Sequence, residues 1–173
     1  MHAMPEIDAI DLTPSPPDPD LVYDLAALIG AKVEQTLRLI PPVDRRPMAE
    51  PVHTWAISWL TQANTSEHEA EAVCHTLMGT LFEAGAVPPR EFWTRPFGAY
   101  VADTIGYHRA DVPMTVASHI LGFTRQRIYQ LVKDGRLTAG TGSMSTTADA
   151  PVTASPVTVS AASVRALYRE RTR

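Results

Sequence analysis

Apolar residues recur at spacings of three and four through Leu21, Leu25, Leu28, Ile29, Val33, Leu37 and Ile40, which lines one face of an α-helix. Asp20 stands at the cap position, and Pro41-Pro42 must stop the run because proline has no amide to give to a helix interior. A second segment, residues 51–63, places Val52, Trp55, Ala56, Trp59 and Leu60 on one side, with Asn64-Thr65 as the loop after it. The next helix is the best marked: Ser66 and Glu69 form a capping-box pattern, Ala70, Val73, Cys74, Leu77, Met78, Leu81 and Phe82 keep helical period, and Gly85 ends it. Pro88-Pro89 starts a further helix containing Phe92 and Trp93. Pro96 breaks or kinks it, and Phe97, Tyr100, Val101 and Ile105 carry the stripe to Gly106. Up to that point the pattern is all-α.

From Pro113 the texture changes. Thr115 caps a short helix over residues 116–121, Gly122 makes a turn, Thr124 caps a second helix over residues 125–134, and Gly135 ends it. Arg136-Leu137-Thr138-Ala139 follow. Then come residues 140–156, rich in Thr, Ser, Ala, Gly and Pro, the β-prone Val157-Thr158-Val159, and a last helix capped by Ser160 with Val164, Leu167 and Tyr168. Helix, helix, strand, loop, strand, helix is the order of a winged module. At the other end, residues 1–19 are proline-rich and acidic and read as a disordered or extended tail.

Composition narrows the class. The chain of 173 residues is 45% hydrophobic and 20% charged, as ordinary globular domains are. Its single cysteine, Cys74, excludes an intramolecular disulfide framework and any cysteine-pair zinc ribbon or redox dithiol, and points to a reducing cytoplasm. No apolar run approaches the about 18 residues of a membrane span, and the segment before Leu21 carries acids and prolines where a secretory signal needs a basic start. The expectation is a cytoplasmic protein with no membrane partner.

The net charge of −4 conceals an uneven distribution. Residues 1–111 hold 16 acids against 7 Lys/Arg, a balance of −9, and residues 112–173 hold 8 Lys/Arg against 3 acids, a balance of +5. A basic carboxyl-terminal third on an acidic body suits a nucleic-acid-binding module joined to a regulatory or oligomerising one. Thirteen of the 15 basic residues are Arg, and Ala and Pro are abundant, a bias that fits a high-GC bacterial genome.

The segment TVASHILGFTRQRIYQLVKDGRL, Thr115 to Leu137, resembles the helix-turn-helix of the excisionase and MerR-type winged-helix families. Two helices crossing steeply need small residues at the crossing, here Ala117 and Ser118, and a turn residue that tolerates positive φ, here Gly122. Leu121, Phe123, Ile128 and Leu131 would fill the shared core. The second helix then leaves Arg125, Gln126, Tyr129, Gln130 and Lys133 outside, and the resemblance, which covers residues 113–173, implies that this face reads base edges in a major groove. Thr124 and Arg127 are placed for phosphates. The sequence departs from the family at the wing, because residues 140–156 contain no Lys or Arg and one acid, Asp149. Phosphate binding is therefore expected from Arg127, Lys133, Arg136 and the final helix with Arg165 and Arg169.

Other constellations favour structural roles. His68 and His75 lie seven apart with Cys74 beside the second, but one helical face cannot encircle a metal, so a buried cysteine and solvated histidines are the expectation. Glu67, Glu69 and Glu71 suit the dipole of a first helical turn better than a carboxylate pair. Trp55, Trp59, Phe92 and Trp93 are core by default rather than a ligand pocket. His108 and His119 have no partner pattern, and no nucleophile elbow, phosphate loop or dinucleotide fingerprint is present.

The sequence thus reads as mainly α: a tail over residues 1–19, a helical oligomerisation or partner-binding domain over 20–108, and a winged helix-turn-helix with a small β-hairpin over 112–173. The expected function is sequence-specific binding of double-stranded DNA by a homodimeric transcriptional regulator, without catalysis, metal or cofactor. Two alternatives stand beside it. One is an excisionase-like architectural factor or a plasmid or phage replication or partition protein, and the other an adaptor whose helix-turn-helix contacts protein.

Overall fold

Asp18, two residues ahead of the expected cap Asp20, starts the first helix. Its carboxylate accepts the Asp20 amide at 2.9 Å and its carbonyl accepts the Val22 amide at 3.0 Å, while Pro19 supplies a first helical residue with φ already set. This helix, α1, spans Pro19–Leu37. The structure is a computed structural model that describes residues 15–37, 49–82, 86–140 and 158–173. The expectations for residues 1–14, the stop at Pro41-Pro42, the terminus at Gly85 and the loop over 141–157 lie outside the described residues.

Helix α2 spans Ala49–Ala63 and lies against both α1 and α3, which spans Glu67–Leu81. Val52, Ala56, Leu60 and Ala63 form its buried side, and Trp59 is half-buried. Trp55, read from the periodicity as core, is 46% exposed, because it stands at the flank of the stripe. Ser66 caps α3 through its hydroxyl, which accepts the Glu69 amide at 3.1 Å. The reciprocal arm of the capping box is replaced, since the Glu69 carboxylate instead accepts Gln62 Nε2 at 2.8 Å and ties α3 to the end of α2.

Of the break or kink expected at Pro96, the structure has the break, into two elements. A 3-10 helix, Arg90–Thr94, ends at Arg95, and α4, Pro96–Thr104, begins immediately afterwards with Pro96 as its first residue. Proline holds the residue before it in extended backbone, and Arg95 sits at φ −85°, ψ 155°, so the break precedes Pro96. Asp24 of α1 secures the joint. Its Oδ2 accepts the Phe97 amide at 2.9 Å and its Oδ1 accepts Arg95 Nε at 2.6 Å, so an α1 carboxylate caps α4 and neutralises Arg95 together.

A short strand, β1, Asp111–Pro113, leads directly into α5, Met114–Leu121, and α6, Arg125–Lys133, follows after a tight turn. Strand β2, Thr158–Ser160, runs into α7, Ala161–Thr172. The expected hairpin between residues 137–139 and 157–159 is corrected in part: β2 pairs antiparallel with β1, in the register Asp111↔Ser160, Val112↔Val159, Pro113↔Thr158. Val159 also faces Ala139 in an isolated antiparallel bridge, flanked by Gly140 N–H to Thr158 O at 3.0 Å and Ser160 N–H to Thr138 O at 2.9 Å. β2 therefore lies between β1 and the arm at 138–140. Gly140 fits closely there, since a Cβ would displace the Thr158 hydroxyl and the Asp111 carboxylate. Ser160 precedes α7 as expected but makes no side-chain cap bond; Ser163 Oγ donates to its carbonyl at 2.8 Å.

Buried residues form one continuous apolar cluster. It runs from Val22 and Leu25 through Leu60, Met78, Phe97 and Val101 to Val112, Val116, Leu121, Ile128, Leu131, Val159 and Val164. Helix α7 packs on both α4 and α5, so the two expected units share this core. Among the described residues no helix is long and apolar enough to cross a membrane.

Candidate nucleic-acid interface

The turn between α5 and α6 follows from two local choices. Gly122 adopts φ 65°, ψ 27°, the left-handed conformation that glycine enters without a Cβ penalty, and its amide bonds back to the end of α5. Thr124 then stays extended at φ −73°, ψ 154°, and its hydroxyl accepts the Arg127 amide at 3.2 Å as the cap of α6. At the crossing, Ala117 and Ser118 are buried, and the Ser118 hydroxyl is satisfied by the Thr115 carbonyl at 2.7 Å. Thr115 itself is not the cap of α5. The helix begins two residues earlier than expected, at Met114 with Pro113 at the cap position, and the Thr115 hydroxyl accepts Arg125 Nη2 from α6 instead.

Helix α6 is held by Ile128 and Leu131, its two buried residues. All eight side chains singled out from the sequence, Thr124, Arg125, Gln126, Arg127, Tyr129, Gln130, Lys133 and Arg136, are exposed on it or just beyond its ends. Their partners differ. Gln130 Nε2 donates to Asp134 Oδ1 at 2.8 Å, and Arg136 Nη2 donates to both carboxylate oxygens of Glu170 at 2.8 Å. The side chains of Gln126, Arg127, Tyr129 and Lys133 make no hydrogen bond or ion pair with other described residues. Tyr129 remains 39% exposed, which is unusual for a large ring on a packed helix.

On α7, Arg165 and Arg169, from which phosphate contacts are expected, both have partners within the protein. Arg165 Nη1 is 2.7 Å from Glu71 Oε1 and 2.7 Å from the Thr104 carbonyl. Arg169 Nε bonds the Asp103 carbonyl at 2.8 Å, and its guanidinium lies 3.4 Å from the Asp103 carboxylate and 3.8 Å from Glu67. Arg171 donates to the Leu121 carbonyl and lies 4.3 Å over the Phe123 ring. Arg165 and Arg169, two of the 8 basic residues after residue 111, are thus matched by acids of α3 and α4. Their local pattern places Glu67 and Glu71 only at the dipole of their own helix. No local signal marks such partners, which stand almost a hundred residues apart.

The remaining candidates do not assemble a second site. Cys74 is fully buried, while His68 and His75 are exposed. Burial, opposed by a weaker hydrogen bond to Thr104, pushes the Cys74 thiol up to about 12, which removes its reactivity as a thiolate. Among the described residues no three His, Cys, Asp or Glu side chains stand close enough to hold a metal ion. Phe92 and Trp93 are core, stacked edge-to-face at 4.9 Å. His108 is half-buried beside Tyr107, and desolvation, with Arg109 and His75 nearby, lowers its pKa below the usual 6.5. No protein-family model matches the chain, and neither a curated protein nor a solved structure does.

Proposed function

We propose that the chain binds double-stranded DNA sequence-specifically through α6, as a winged helix-turn-helix, and serves as a transcriptional regulator. The observation that carries the reading is the outer face of α6: Arg125, Gln126, Arg127 and Lys133 are exposed, and three of them have no partner among the described residues. Packing requires none of these donors. A guanidinium and an amide in the first turn of a helix suit bidentate contacts to guanine and adenine edges, and flanking cations suit phosphates. The order β1, α5, α6, the 138–140 arm, β2, α7, with β2 central, supports the winged reading.

In this reading Arg125 and Gln126 read bases, Tyr129 and Gln130 line the same groove, and Thr124, Arg127 and Lys133 bind phosphates, with Arg136 at the edge. The chain acts as a homodimer through the helical region, where Tyr23, Trp55 and Ile57 are exposed. The test is selection of duplexes from a random-sequence pool, followed by titration at several salt concentrations. Arg125→Ala or Gln126→Ala should cost about 1–3 kcal/mol on the selected duplex and much less on a scrambled one. Arg127→Ala and Lys133→Ala should weaken both duplexes alike and each reduce the salt slope by about one. Equal losses on both duplexes for the first pair would make them phosphate contacts. Absence of duplex binding at low salt would refute the proposal and leave protein contact as the use of this face.

A further inference from the structure

Adjacent residues of α7 hold the chain on both sides of α6. Before α6, Arg171 donates to the carbonyl of Leu121, the last residue of α5, and its guanidinium covers the Phe123 ring at 4.3 Å. After α6, Glu170 accepts Arg136 through both carboxylate oxygens at 2.8 Å. The Leu121 carbonyl belongs to the final turn of α5, where intrahelical donors have run out and positive charge is favoured. Phe123 is the last residue before the Thr124 cap. Arg171 therefore grips the few residues that decide where α6 begins and how steeply it leaves α5.

We propose that Arg171 is a positioning residue for DNA reading: it braces the turn so that Arg125 and Gln126 enter the groove in one pose. This inference rests on the proposed function. Two features make such a brace necessary. Helix α6 has nine residues, too few to be stable alone, and Ile128 and Leu131 are its only buried side chains, which fix its depth better than its rotation. Base recognition, in contrast, demands side chains held to within about half an ångström. Arg171 is directed inward by a carbonyl and a ring, so its contribution is to pose and not to phosphate neutralisation. Glu170, with both partners largely exposed, adds a weaker second hold.

The experiment compares wild type, Arg171→Met and Phe123→Leu in the full chain. Arg171→Met keeps the aliphatic stem and removes the guanidinium; Phe123→Leu keeps an apolar turn and removes the ring beneath it. Each is titrated with the duplex selected by wild type and with a scrambled duplex, over a salt series, and hydrogen exchange is followed across residues 121–133. The expected result for both variants is a discrimination ratio reduced about tenfold, with scrambled-duplex affinity and salt slope unchanged. Faster exchange in α6 should accompany it. A salt slope shallower by about one in Arg171→Met, restored by Arg171→Lys, would make the residue a phosphate contact and overturn the proposal. Undiminished discrimination in the variants would overturn it as well, while the reading of α6 would stand. Should Arg171→Met fail to fold, Phe123→Leu decides by the same criteria. A wild-type chain that binds no duplex overturns both.

Discussion

His108 illustrates how a single side chain couples the fold to pH. Its Nδ1 is buried without a hydrogen-bond partner among the described residues, and desolvation lowers its pKa from 6.5. Above that value the ring is neutral in both folded and unfolded chains, and its protonation adds no pH dependence to stability. As pH falls below 6.5, the unfolded chain takes up the proton first, so stability declines until the lower folded value is passed. Urea midpoints measured at about pH 7.5 and about pH 5.5 should therefore drop more in wild type than in His108→Gln. An equal drop in the two would assign the acid sensitivity to other groups. Cys74 shows the opposite outcome of burial: a thiol held neutral to about 12 packs as a small apolar residue.

At the scale of elements, the turn between α5 and α6 depends on backbone conformation more than on contacts. A Cβ at Gly122 would meet no atom within 4 Å, yet φ there is +65°. Gly122→Ala should lower stability by about 1 kcal/mol through backbone strain alone, read as a shifted urea midpoint with an unchanged slope. A loss of several kcal/mol would mean that the turn repacks. The loop after α6 permits a complementary test. Gly140 and Thr158 are joined by an amide-to-carbonyl bond of 3.0 Å, so the ends of the 141–157 connection already meet. That connection carries no Lys or Arg. Replacing residues 141–154 with an Asn-Gly turn should leave DNA affinity within about threefold and raise stability slightly through a smaller closure entropy. A tenfold or greater loss in a folded variant would assign the loop a place in the interface.

The whole molecule is organised by a charge division and a shared core. Arg165 and Arg169 pair with Glu71, Glu67 and Asp103, so the basic third is fastened to the acidic body by α7, alongside apolar packing of Val164 and Leu167. Because the buried cluster is continuous from α1 to α7, thermal unfolding should be a single cooperative transition, with calorimetric and van't Hoff enthalpies equal. Two resolved transitions would show that the core divides. The shared core also decides how self-association is measured. A fragment ending near residue 108 would strip α7 from α4, so the full chain is the right object. It should sediment as a dimer at tens of micromolar, and Trp55→Lys, which places charge on an exposed ring position of α2, should shift it toward monomer. A wild-type monomer would exclude the dimeric form of the proposed function.

What the sequence by itself determined is local in origin. Helical periodicity located α1, α2, α3, α5, α6 and α7 and the stripe of α4, the turn glycine and the threonine cap located the crossing, and the polar face of α6 was legible because its apolar positions are so few. Each of these is decided by backbone sterics and by neighbours within a few residues. The tertiary structure alone decided the rest. Strand β1, Asp111–Pro113, is too short to show alternation and exists because β2 returns beside it. Asp24 caps a helix more than seventy residues away, and Thr115 gives up a cap to hold Arg125. The largest change concerned the arginines of α7, which composition counted as free positive charge. Acids of α3 and α4 and the open carbonyl of α5 engage them, and which of these lies within reach depends on the surfaces that the fold brings together.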